Sequence, residues 1–158
     1  MSTTLKFSLD ATEFNGKRVL VTGGTKGMGQ ALVTRLAAGG ARVATTARSA
    51  QSKTDGAELF VQTDISTPSG GQKVVTETLA SLGGLDILVN SVGGSKAPGG
   101  GVLALGDADG QDTLNINLLA AVRLDRGFLP SMLAQQAGVI IHISSIQRRF
   151  PLYEATLA

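Results

Sequence analysis

The sequence predicts an α/β fold built on a doubly wound parallel sheet, and three observations carry that expectation. Short Val/Ile/Leu runs alternate with helical periodicities along nearly the whole chain, the pattern of right-handed βαβ crossovers. The 42% hydrophobic content is mostly Val, Ile, Leu and Ala, with 4% aromatics and no Trp, the mixture found in strands buried on both faces. A glycine-rich turn joins the first strand to the first helix, at the end of the sheet where open α/β folds place their ligands.

Element by element, residues 17–22 form a β-branched run that ends at Gly23-Gly24 and reads as a buried strand followed by a turn. Met28, Leu32 and Leu36 then recur at helical spacing, and Gly39-Gly40 supplies the stop. Residues 41–46 make the second strand and residues 59–62 the third. Thr67-Pro68 has the form of an N-cap with proline at the first helical position, ahead of Val75, Leu79 and Leu82, and Gly83-Gly84 ends that helix. Residues 85–90 are the fourth strand, and the glycine-rich stretch 93–101 reads as a loop, because regular pattern resumes at once. Residues 111–132 are expected to be mostly helical, carrying Leu114, Leu118, Ala121, Val122 and Leu129 inward, with Pro130 kinking or ending the helix. Residues 139–144 are the fifth strand. The expectation is a single domain over residues 1–158, with a polar tail at 1–15 and a loop at 146–158.

Composition narrows the function classes. Fourteen Lys+Arg against twelve Asp+Glu leave a formal charge of +2 with the basic residues scattered, so a nucleic-acid partner finds no support. Without cysteine there is no disulfide framework, thiol nucleophile or Cys-based zinc site, and the one histidine cannot make a His-rich site, so no metal is expected. That residue, His142, reads as a packed or hydrogen-bonded strand residue rather than an acid–base group. Lys6, Asp10 and Glu13 interrupt the first fifteen residues, unlike a signal peptide, and no uninterrupted apolar run reaches about 18 residues. A cytoplasmic protein without a membrane segment is the expectation.

The segment Thr22-Gly23-Gly24-Thr25-Lys26-Gly27-Met28-Gly29 sits where strand turns into helix, and there backbone N–H groups and the helix dipole favour a pyrophosphate. Glycines in such a turn let phosphate approach the main chain. The spacing is Gly, three residues, Gly, one residue, Gly, which departs from the dinucleotide fingerprint of one and then two intervening residues. A tight βα turn without a ligand is the plain alternative.

Further signals follow in order: Asp64 after the third strand, Asn90-Ser91-Val92-Gly93 after the fourth, Asn117 in the long helix, and Gly138-Val139-Ile140-Ile141-His142-Ile143-Ser144-Ser145 at the fifth strand. Together with the glycine spacing they resemble the short-chain dehydrogenase/reductase family, from about residue 14 to the last residue. Ser91 and Val92 depart mildly from that family's commoner Asn-Asn-Ala-Gly. The resemblance implies a Rossmann-like fold and a nicotinamide dinucleotide held along Gly23, Thr25, Lys26, Gly27, Met28 and Gly29. It also implies hydride transfer between a small-molecule carbonyl and alcohol. Asp64, with Ile65 beside it, matches the acid that contacts the adenine ring, although an Asp at that point is equally a cap or turn residue. Asn90 and Gly93 would line the cofactor cleft. Relatives commonly form dimers or tetramers, so a homo-oligomer is expected, with the helix from Leu114 to Leu129 as a contact surface.

An NAD-preferring site places an acid at the end of the second strand to hold the ribose 2′-hydroxyl. The equivalent stretch here is Ala44-Thr45-Thr46-Ala47-Arg48, and Lys26 stands in the glycine turn, so two cations are placed to flank a 2′-phosphate. The expectation is NADP(H) in preference to NAD(H); ordinary solvated surface charge is the competing reading of both residues.

The catalytic apparatus implied by the resemblance is half present. Ser145, with Ser144 as the alternative, matches the serine that hydrogen-bonds the substrate oxygen, and Asn117 matches the asparagine that orders the proton relay. The family's tyrosine is expected about 12 to 14 residues beyond the serine, in a Tyr-x-x-x-Lys helix that sets both groups on one face. Tyr153 does not fit, since it follows Ser145 by eight residues and Leu157 stands four further on. It reads instead as a loop aromatic, and Arg148-Arg149 as a solvated pair or a contact for an acidic substrate. A fifth strand apolar on both faces calls for helices on both sides and a neighbour beyond. The sheet is therefore expected to be incomplete at its carboxyl-terminal side, within a polypeptide of about 250 residues. The competing function is a non-catalytic NADP(H)-binding protein, or a degenerate fragment, lacking the tyrosine and lysine.

Overall fold

In a computed structural model that describes residues 10–49, 54–96, 98–100, 102–146 and 149, strands and helices follow the expected alternation. β1 (Arg18–Thr22) leads to α1 (Gly27–Ala38), and β2 (Arg42–Ala47) and β3 (Leu59–Gln62) follow. Next come α2 (Pro68–Leu82), β4 (Ile87–Asn90), α3 (Asp107–Leu114), α4 (Ala120–Ala134) and β5 (Val139–His142). The sheet order is β3-β2-β1-β4-β5, with every pairing parallel. The chain therefore builds outward from β1 to β3, crosses back, and continues from β4 to β5. That reversal opens a crevice between the carboxyl ends of β1 and β4, the switch point where open α/β sheets bind ligands.

The central strands are apolar on both faces. Val19 and Val21 pack with Val33 and Leu36 of α1 and with Val43 and Val89 of the neighbouring strands. Leu20 points the other way, into a core with Leu88, Val74 of α2, and Leu124 and Phe128 of α4. β1 sits mid-sheet with helices on both sides, so its sequence is a continuous apolar run rather than an alternating one. Each fully buried Val, Leu or Phe contributes about 1.5–3 kcal/mol.

Local signals fix several ends. The Thr67 hydroxyl accepts from the Gly70 amide at 3.0 Å with Pro68 at the first helical position, a cap worth about 1 kcal/mol. Gly83 closes α2 in the left-handed region at φ 75°. At the amino edge of the sheet, Asp86 just before β4 accepts from Arg18 Nη2 at 2.8 Å, from Arg18 Nε at 2.9 Å and from the Arg18 amide at 2.8 Å. Gln135, at the end of α4, accepts from the same guanidinium at 2.6 Å. This cluster ties β1, the approach to β4 and the end of α4 together at the edge opposite the crevice.

The structure departs from expectation along the long helix, which starts at Asp107, widens to a π-helical turn over Asn115–Leu119 and runs to Ala134 with Pro130 inside it. Leu114, Leu118, Val122 and Leu129, expected to face inward, are 43–51% exposed, and Ala121 is only half-buried. Ala120, Leu124, Phe128 and Met132 face the core instead. The helix carries two apolar stripes, and its period alone does not say which one packs. Gly127 decides it: Val75 of α2 lies against the Gly127 backbone where a Cβ would stand. On α1, Met28 is 53% exposed, and the buried face belongs to Gly29, Val33 and Leu36.

β5 also ends at His142 rather than at residue 144. The last rung is the Ile143 amide donating to the Asn90 carbonyl at 3.0 Å, and beyond Asn90 the partner chain turns away into the next loop. Ile140 packs on the core, while Val139 and Ile141 on the opposite face are 52% and 41% exposed. Tyr153, Leu157, Arg148 and most of the polar tail lie outside the described residues.

Candidate nucleotide-binding site

At the carboxyl ends of β1 to β4 lies a cleft of about 770 Å³. Its floor is the glycine turn, where Gly23, Thr25, Lys26, Gly27, Met28 and Gly29 all line the wall. α1 begins at Gly27 without a side-chain cap on Lys26, which leaves its leading amides available to an acceptor from outside the chain. Gly27 has φ +55° with nothing within 4 Å of where a Cβ would stand, so backbone is presented there with space in front of it. Gly29 does the opposite work, since a Cβ on it would collide with the Gly23 carbonyl. The two glycines thus separate a ligand-facing position from a packing position. Open space, uncapped amides and a helix dipole suit a diphosphate.

The far wall is the loop after β4. Thr22 at the end of β1 holds it, its hydroxyl accepting from the Ser91 amide at 2.9 Å and the Val92 amide at 3.1 Å. Asn117, in the π-helical turn, holds it again two residues later through both backbone atoms of Gly94. The side chain of Asn117 is not itself part of the cleft wall; it acts on the wall through Gly94.

At the other end of the cleft, Thr46, Ala47, Arg48 and Ser49 follow from β2, and Asp64, Ile65 and Ser66 follow β3. β2 ends without a carboxylate, and Arg48 is exposed. Asp64 accepts from the Ser66 amide at 2.9 Å, the turn its sequence allowed, while also lining the cleft. Burial pushes the Asp64 carboxyl up, but the Ser66 hydrogen bonds and the nearby Arg48 and Lys96 outweigh it and hold the group below its ordinary range. Ile65 is 5% exposed and belongs both to the core and to the cleft wall.

Asn90 lies apart from the wall. It is 7% exposed, and its Nδ2 donates to Asp125 Oδ1 of α4 at 2.9 Å and stands 3.4 Å from His142 Nδ1. His142 Nε2 lies 3.4 Å from the second oxygen of Asp125, so strand β4, strand β5 and α4 meet in one polar cluster. Ser144 and Ser145 are exposed beyond the end of β5 and do not line the cleft, while Gly93 does. The cleft also takes in Lys96 and, from α3, Asp109, Asp112 and Thr113, none of which the sequence singled out. Helical spacing of Asp109, Asp112 and Thr113 ahead of Asn117 was the only available signal; Lys96 gave none.

The crevice position, the glycine turn and the anchored β4 loop place the chain in the doubly wound α/β class with its cleft at the switch point. The family model described as short chain dehydrogenase matches residues 17–157, and the chain belongs to that family. It is 34% identical over 148 residues to the uncharacterized oxidoreductase YgcW of Escherichia coli (strain K12), covering 89% of this chain and 56% of that one. L-sorbose reductase from Gluconobacter frateurii, solved with NADPH and L-sorbose, superposes with a TM-score of 0.81 at 32% identity, covering 91% of this chain and 58% of that one. The NADH-dependent reductase A1-R′, solved with NAD, shares the fold at a TM-score of 0.83 and 23% identity, covering 90% of this chain and 65% of that one. The chain spans about half the length of the curated relatives it matches. Among the described residues no helix is long and apolar enough to cross a membrane.

Proposed function

We propose that the protein is an oxidoreductase that binds NADP(H) in this cleft and interconverts a carbonyl and an alcohol on a small molecule. The observation that carries the reading is the cleft itself: uncapped α1 amides before an open Gly27, with Lys26 and Arg48 at the adenosine end and no carboxylate closing β2. Neighbours of this fold bind either dinucleotide, so the preference for NADP(H) rests on those two cations and not on likeness of fold.

The bound dinucleotide supplies the hydride. The chain's own residues do the rest. The α1 amides take the diphosphate, Lys26 and Arg48 flank the ribose 2′-phosphate, and Asp64 and Ile65 border the adenine. Gly93, in the loop that Thr22 and Asn117 anchor, borders the cofactor on the β4 side. Asn117 keeps that loop in register with the π-helical turn. Ser145, beyond the carboxyl end of β5 and therefore at the same edge of the sheet, hydrogen-bonds the substrate oxygen. Asn90 supports the site from beneath by joining β4 to Asp125. We further propose that copies of the protein associate through the apolar stripe of α3 and α4, where Leu114, Leu118, Val122, Leu129 and Leu133 are exposed.

The test is NADPH oxidation against a panel of aldehydes and ketones, beside the Ser145→Ala variant. Carbonyl-dependent oxidation that falls about 10²- to 10³-fold in the variant supports the reading. Tight NADPH binding with no carbonyl-dependent turnover on a broad panel would favour a non-catalytic NADP(H)-binding protein instead.

A further inference from the structure

Half-buried Arg123 of α4 gives its hydrogen bonds to neutral oxygens rather than to a carboxylate. Its Nη1 donates to the Ser66 carbonyl at 2.8 Å, and its Nη2 donates to Asn115 Oδ1 at 3.2 Å. Among the described residues it makes no salt bridge. A rigid planar fork with two donors on two different elements suits the holding of position.

The two acceptors belong to opposite walls of the cleft. Ser66 follows β3, its amide donates to Asp64 Oδ1 at 2.9 Å, and Asp64, Ile65 and Ser66 all line the cleft. Asn115 opens the π-helical turn whose Asn117 holds Gly94, on the wall beyond β4. Arg123 and Asn115 do not themselves line the cleft. They complete a continuous path behind it, from Asp64 through Ser66, Arg123 and the π-helical turn to Gly94.

Glycines make the reach possible. A Cβ on Gly71 of α2 would stand 3.3 Å from Arg123 Cβ and 3.6 Å from its Cδ, so the arginine stem runs over bare backbone. One turn further along both helices the roles reverse, with Val75 of α2 against Gly127 of α4. A Cβ on Gly70 would collide with the Asp64 carbonyl, so the start of α2 is seated against the turn that Arg123 holds.

We propose that Arg123 is a positioning residue that ties the two walls of the cleft together, so that the Asp64 turn and the Gly94 loop keep their places as one unit. Its effect on ligand affinity rests on the reading of the cleft as a nucleotide site; the tie itself does not.

Amide hydrogen exchange, read residue by residue by NMR on the folded protein without ligand, tests the tie. The variants are Arg123→Met, Asn115→Ala, the two combined and, as a control, Arg126→Met, which removes an exposed cation from the same helix. Thermal melting accompanies each. In Arg123→Met the Ser66 and Gly94 amides are expected to exchange about three- to tenfold faster, the range of one lost hydrogen bond. In Asn115→Ala only the Gly94 amide speeds up, and the combined variant exchanges there no faster than Arg123→Met. Arg126→Met changes neither. Calorimetric titration with 5′-AMP is expected to show binding about three- to tenfold weaker in Arg123→Met. Unchanged exchange at Gly94 in either single variant, or unchanged 5′-AMP affinity in Arg123→Met, overturns the proposal. So does faster exchange shared by every amide in step with a lower melting temperature, as a merely structural role would give. If the unaltered protein does not bind 5′-AMP, the nucleotide reading falls, and the exchange rates still decide the tie.

Discussion

Asn117 grips Gly94 by both of its backbone atoms: Nδ2 donates to the Gly94 carbonyl at 2.7 Å, and Oδ1 accepts from the Gly94 amide at 2.8 Å. A carboxamide is the side chain that can do this, because it carries one donor and one acceptor in a plane. The π-helical turn around Asn117 aims it there by displacing one turn of the helix from its regular course.

Replacing Asn117 by Ala returns both Gly94 groups to solvent. We expect NADPH binding to weaken about five- to tenfold, as for the loss of two modest hydrogen bonds, with the Gly94 and Ser95 amides exchanging hydrogen faster. Unchanged exchange at those amides would show that the loop is held by something else.

Asp86 makes stability depend on pH. The Arg18 side-chain hydrogen bonds, set against burial and joined by the Arg18 amide, hold its carboxyl at about 2, below the ordinary 3.8. Because the folded value is depressed, the unfolded chain binds more protons between the two values. The stabilisation is therefore complete above about pH 4 and is lost as pH falls through 2. It amounts to about 2 kcal/mol, since both side chains are at least three-quarters covered. Asp86→Asn should lose about that much at pH 7 in urea unfolding and flatten the acid limb of the stability curve. An acid limb identical to that of the unaltered protein would refute the assignment.

At the end of α4, Gln136 adopts φ 55°, in the left-handed region that disfavours residues with a Cβ. The Gln136 amide donates to the Leu133 carbonyl, and the Ala137 amide donates to the Met132 carbonyl, both at 3.1 Å. Gln136→Gly should raise stability by about 0.5–1 kcal/mol in thermal or urea unfolding, and Gln136→Val should lower it. The opposite order would mean that the helix end is not held as described.

The outward stripe of α4 yields a separate expectation. Leu129, Pro130 and Leu133, with Val122 two turns earlier, line a shallow, mostly apolar hollow on the helix surface. If copies associate there, Leu129→Glu with Leu133→Glu should shift the protein to monomer in light scattering without lowering its melting temperature. An unchanged assembly would place the contact elsewhere.

What could be read from the sequence was mostly what is local. The β1 run, the Thr67-Pro68 cap and the Gly23 to Gly29 turn each carry their cause within a few residues. Which stripe of α4 packs inward depended on Val75 reaching Gly127, a contact between helices about fifty positions apart. The end of β5 depended on where β4 turns away, and the link from Asn90 through Asp125 to His142 joins three elements. Lys96 shares its cleft with Asp64 only because β1 to β4 end at one edge, so no spacing announced it.

Calorimetric titration of the folded protein with NADPH and with NADH tests the account most directly. Binding of NADPH, tighter than NADH by at least about tenfold and weakening with added salt, is the predicted result. Heat from neither dinucleotide, or NADH bound as tightly as NADPH, would contradict it.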